Sequence, residues 1–82
     1  MLVSQQVRAA RALIGWSQSQ LADASNVGIA TIKRIELQDG FVRANSASVH
    51  QIETTLRRSG VEFIEQDETG GAGVRLKHSY TE

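Results

Sequence analysis

The run SQSQLADASNVGIATIKRIE, Ser17 to Glu36, leaves few ways to fold. Its apolar positions are Leu21 and Ala22, then Val27, then Ile32 and Ile35. Ser17 followed three residues later by Gln20 is a capping box, so a helix opens at Ser17. That helix is expected to run to about Ala24. Ser25 and Asn26 then form a turn, since asparagine tolerates a left-handed backbone better than other residues with a side chain. A further helix is expected from near Gly28 to near Gln38, ended by Asp39–Gly40, with Val27, Ile32 and Ile35 facing inward. Ala30 and Thr31 are small, so its first turn can approach another surface closely.

The flanks supply what two short helices need to bury their faces. Val3, Val7, Ala10 and Ile14 recur at helical spacing, with Ser4 as the expected cap and Gly15 as the stop. Arg8 and Arg11 lie off that stripe. After the connector FVRANSAS, Asn45 or Ser46 caps a fourth helix carrying Val49, Ile52 and Leu56, and Gly60 ends it. Beyond Gly60 the period changes. VEFIE and VRLK are strand-like runs around the loop QDETGGAG. Val61 and Phe63 should share a face with Val74 and Leu76 opposite, and Glu62 should meet Arg75 or Lys77. The final HSYTE is expected to fray. The fold class is therefore mainly α: four helices over 1–60, with a β-hairpin over 61–82 as part of the same single domain.

Bulk composition excludes more than it proves. Eighty-two residues suit one small domain that gains from a partner subunit. Hydrophobic content of 40% argues against wholesale disorder. The absence of cysteine removes disulfides and thiolate metal sites and suits a reducing cytoplasm. No run is apolar enough to span a bilayer, and the amino-terminal arginines do not fit a signal peptide. His50 and His78 are isolated, so no metal is implied, and no serine has a base at a recognisable spacing, so no enzyme or cofactor is expected.

Nine basic and nine acidic residues cancel overall but not locally. Residues 1–60 hold Arg8, Arg11, Lys33, Arg34, Arg43, Arg57 and Arg58 against Asp23, Glu36, Asp39 and Glu53, a balance of +3. Residues 61–82 carry −3. Such asymmetry is a weak sign of a nucleic-acid surface.

Two short helices joined by a tight turn define a helix-turn-helix. Over residues 7 to 60 the chain resembles the Cro and phage-repressor type, the XRE family, through GWSQSQLADASNVGIATIKRIELQDG. The shared pattern is Ser/Thr-Gln, Leu-Ala, a turn, then a recognition helix ending Ile-x-x-Ile-Glu. The resemblance implies a lambda-repressor-like fold and a DNA-binding regulator. It assigns Ser17 and Gln18 to phosphate, with Gln18 also bracing the recognition helix. A helix amino terminus suits both roles, because its free N–H groups and positive dipole end attract anions. The resemblance places Ile29 and Ala30 nearest the base edges, with Thr31 beside them on backbone or base. Arg34 takes an outward base-reading position, Lys33 reaches base or backbone, and Arg43 falls on phosphate.

The chain departs from the pattern at three positions. Gly28 replaces the usual Ser or Thr cap, and Asn26 the usual turn glycine. Ile29 stands where many relatives are polar, and three readings of it are open: core packing, contact with a thymine methyl, or a protein partner. Taken alone, Lys33 and Arg34 also fit a solvated helix face. Arg57 and Arg58 read as solubilising charge at a helix end, and Trp16 as core.

The expected partner is double-stranded DNA, bound by a homodimer on a palindrome with half-sites about 34 Å apart. Phe63 and Ile64 on the hairpin are the expected dimer contacts. The alternative function is a protein-interaction module, such as an antitoxin, on the same scaffold. RNA polymerase or another regulatory protein is a further candidate partner. The expected setting is the bacterial or phage-infected cytoplasm, with control by dimerisation or a partner, since the chain has no room for a ligand-sensing domain.

Overall fold

The computed structural model describes residues 1–81. Glu82, the last residue of the expected frayed end, lies outside them. Four helices, α1 (Ser4–Ile14), α2 (Gln18–Ser25), α3 (Ile29–Glu36) and α4 (Ser46–Arg58), precede two strands, β1 (Val61–Ile64) and β2 (Gly73–Leu76).

One core joins every part. Val7 of α1, Leu21 of α2, Ile32 and Ile35 of α3, Ile52 and Leu56 of α4 and Val61 of β1 are all fully buried. Each such side chain contributes on the order of 1.5–3 kcal/mol relative to exposure, which makes this shared core the main stabiliser of helices too short to persist alone. α2 lies against α3 and α4, α1 against α3, and the hairpin against α1 and α4. Trp16 is half-buried at the core's edge.

Local signals explain most boundaries. The capping box at α2 closes in both directions: Gln20 N–H donates to Ser17 Oγ at 3.1 Å and Ser17 N–H to Gln20 Oε1 at 2.7 Å. Asn26 adopts φ 57° and ends α2, while Gly15 at φ 69° ends α1. Asn45 caps α4 by accepting from Ser48 N–H at 2.8 Å.

Three boundaries differ from expectation. Ser4 is the first residue of α1 rather than its cap, because Gln6 Oε1 takes the Val3 N–H at 2.9 Å. The buried Ser4 hydroxyl crosses instead to the Ile35 carbonyl at 2.5 Å. Ser25 belongs to α2 and is buried, its hydroxyl donating back to Leu21 O at 2.6 Å. α3 stops at Glu36, short of Gln38: the Gln38 N–H turns to the Ile35 carbonyl at 3.1 Å rather than continuing the α-helical ladder, and the Ser4 hydroxyl donates to the same carbonyl.

The hairpin takes the expected register: Val61 opposite Leu76, Glu62 opposite Arg75, Phe63 opposite Val74. Its apolar face covers the core through Val61, Phe63 and Val74. No helix among the described residues is long and apolar enough to cross a membrane.

Candidate nucleic-acid interface

α3 is an eight-residue helix with one apolar face. Ile32, Ile35 and Glu36 turn inward, so Ile29, Ala30, Lys33 and Arg34 are left exposed on the outer face. They form two adjacent rows at i, i+4 spacing: Ile29 and Lys33 with Leu37 beyond, and Ala30 with Arg34. Ile29 is 39% exposed, which removes the core reading of this residue. Thr31 is half-buried and lies beside these rows rather than within them. Gly28 caps α3 with its backbone alone, and Thr31 N–H and Ile32 N–H both bond its carbonyl.

What fixes α3 is its far end. Glu36 follows Ile32 by four residues and so falls on the buried stripe, where a carboxylate needs a partner. Arg11 supplies it in a fork, Nε to Oε2 at 2.7 Å and Nη2 to Oε1 at 2.6 Å. The hydrogen bonds to Glu36 hold the Arg11 guanidinium above its ordinary pKa, against the opposing effect of burial. Arg11 also donates to the Trp16 carbonyl at 2.8 Å, which ties in the segment before α2. Gln18 Nε2 donates to Glu36 Oε1 at 3.2 Å, so the expected bracing contact is present. Arg8 donates to the Glu36 and Gln38 carbonyls. These carbonyls at the end of α3 have no intrahelical partner, and a cation suits the negative end of the helix dipole. α1 therefore grips α3 through Ser4, Arg8 and Arg11, none of which the sequence reading assigned to the site. Glu36 on the inward period was the signal that could have found this network.

Gln18 and Ser17 sit at the start of α2, where Ser17 is exposed and Gln18 half-buried. The Ser17 oxygen already accepts from Gln20 N–H, which leaves its hydroxyl hydrogen as the group to offer. Gln18, Arg8, Lys33, Glu36 and Leu37 line one shallow hollow. Leu37, 88% exposed at the end of α3, also escaped the sequence reading.

The cations divide cleanly. Arg8, Arg11, Arg57, Arg75 and Lys77 each donate to an acid or a carbonyl of the chain itself. Lys33, Arg34, Arg43 and Arg58 are exposed, with no such partner among the described residues. Three of these four lie on α3 or the loop after it. Arg57, expected to be simple solubilising charge, pairs with Glu53 and stacks 5.2 Å from the centre of the Phe63 ring. Of the two expected dimer contacts, Phe63 is half-buried on the chain's own core and Ile64 is 40% exposed.

No curated protein matches the chain closely enough to count as a relative. A helix-turn-helix family model matches residues 7–39, the span from the middle of α1 through α3 and into the following loop. It covers the capping box, the Asn26 turn, the exposed rows of α3 and the Arg11–Glu36 pair. Over these residues the chain is similar to helix-turn-helix domains of the Cro/C1 type, those of the XRE family of DNA-binding regulators.

Proposed function

We propose that this chain is a sequence-specific transcriptional regulator that binds a palindromic operator as a homodimer, with α3 in the major groove. The observation that carries this reading is the segregation of unpaired cations. Lys33, Arg34 and Arg43 cluster on α3 and its loop, while the other arginines and lysines, Arg58 apart, are consumed within the fold.

On this reading Ile29, Ala30, Lys33 and Arg34 face base edges. Arg34 suits guanine O6 and N7, and Ile29 suits a thymine methyl. Ser17, Gln18, Thr31 and Arg43 hold the backbone. Each neutralised phosphate contributes a slope of about −0.9 in log affinity against log salt, so even with all three free cations on phosphate one subunit would reach a slope of only about −3. That is weak binding. Two subunits double it and read two half-sites, which is why the dimer is part of the proposal. Ile64 is the hairpin side chain left over for the second subunit, since Phe63 already covers the core.

The test is selection from random duplex DNA at near-physiological salt, with Arg34→Ala in parallel. An inverted repeat that the variant reads less sharply at one symmetric position supports the proposal. No enriched motif with either protein refutes base-specific binding by the homodimer and turns attention to a protein partner. Deleting residues 61–82 tests the hairpin: a dimer that survives in light scattering excludes it as the interface.

A further inference from the structure

The connector between α3 and α4 contains no helix or strand, yet it is tied down along most of its length. Ser4 N–H donates to Gly40 O at 2.9 Å and Val42 N–H to Leu2 O at 3.0 Å, flanking an isolated Val3–Phe41 bridge. Gln5 Oε1 accepts from Gly40 N–H at 3.1 Å. The last tie is internal. Gln38 Oε1 accepts from Arg43 N–H at 2.7 Å, and Gln38 Nε2 donates to Arg43 O at 3.1 Å. One side-chain amide thus holds both polar groups of one residue's backbone, as a neighbouring strand would. Gln38 is itself anchored, its carbonyl accepting from Arg8 at 3.1 Å and its N–H donating to Ile35 O at 3.1 Å.

We infer that Gln38 is the positioning residue for Arg43, presenting that cation to a DNA phosphate from a backbone fixed before binding. The inference rests on the proposed phosphate role of Arg43. Its physical basis is preorganisation: a cation on a loose loop loses freedom when it binds, and one on a fixed backbone loses less. The bracket needs a donor and an acceptor on one short arm, which among the side chains of this length only an amide supplies. Ser17 and Gln18 hold phosphate from a helix terminus, and the Gln38 bracket gives the loop on the other side of α3 comparable rigidity.

The experiment is a double-mutant cycle on a mixed-sequence duplex, long enough for two half-sites, using the full chain. Gln38→Met keeps the arm and removes the amide. It should weaken binding about three- to tenfold, the scale of one or two lost hydrogen bonds. Arg43→Ala should weaken it by at least as much. The double variant should bind no more weakly than Arg43→Ala alone, because an unanchored loop costs nothing once its cation is gone. Independently, the Arg43 amide should exchange its hydrogen slowly in the wild-type protein and fast in Gln38→Met. Additive losses, an unaffected Gln38→Met, or fast exchange in the wild-type protein overturn the inference and leave the phosphate role of Arg43 standing. An Arg43→Ala variant that binds as the wild type overturns both.

Discussion

On the hairpin, Arg75 meets Glu62 at 2.7 Å and Lys77 reaches the Arg57 carbonyl at 2.6 Å, and the chain's own amino terminus meets Glu65 at 2.8 Å. On α3 and its loop, Lys33, Arg34 and Arg43 meet no acid among the described residues. Of the two acids there, Glu36 is turned inward and consumed by Arg11 and Gln18, and Asp39 is engaged by Gln5 and Arg8 from α1. A zero net charge therefore says little about partners. What a polyanion meets is the charge left over after the fold has paired its own, and here that remainder is concentrated on one face.

Substitutions in each region test this difference. The largest effect is expected from Glu36→Ala. It leaves Arg11 without its carboxylate and frees Gln18, and removing one member of a buried pair costs on the order of 3 kcal/mol. Urea denaturation checks it; a loss below about 1 kcal/mol would show that the pair does not hold α3 in place. Next, Arg34→Ala should cost roughly 1–3 kcal/mol of operator binding and relax specificity at one base pair. Arg58→Ala removes an equally unpaired cation at the end of α4 and should leave affinity nearly unchanged; an equal loss would mean that position on α3 does not matter. On the paired side, Arg75→Ala should reduce stability by less than about 1 kcal/mol, as exposed ion pairs do, with no change in DNA affinity by titration.

The smallest effect is a pH dependence of the hairpin turn. Asp67 Oδ1 accepts from the Thr69 hydroxyl and from the Thr69 and Gly70 N–H groups, which holds its carboxyl below the ordinary range. A lowered carboxyl pKa gives stability that is present above the unfolded value and is lost as pH falls through the folded one. Protection of the Thr69 and Gly70 amides, taken relative to their intrinsic exchange rates, should therefore fall only in acid, and Asp67→Asn should flatten the response.

Much of the fold was legible because its signals are local. The Ser17–Gln20 box, Asn26, Gly15 and the alternation of Val61 and Phe63 each depend on residues a few positions apart, and each produced the element it announced. The exposed rows of α3 followed from the inward spacing of Ile32 and Ile35. Beyond the Gln18 contact, the bracing of α3 was not legible in the same way. Arg11 and Glu36 are 25 residues apart, and Gln38 closes on Arg43 within a loop that Arg8 and the Leu2–Ser4 segment also hold from a distance in sequence.

Caps and periodicity act within a turn or two of the chain, so they place each helix to within a residue or two and show which residues α3 turns outward. Which charges remain free is set by how the helices pack. Pairing depends on distance in space, and α1, through Arg8 and Arg11, neutralises the end of α3 from residues 25 to 30 positions earlier in the chain.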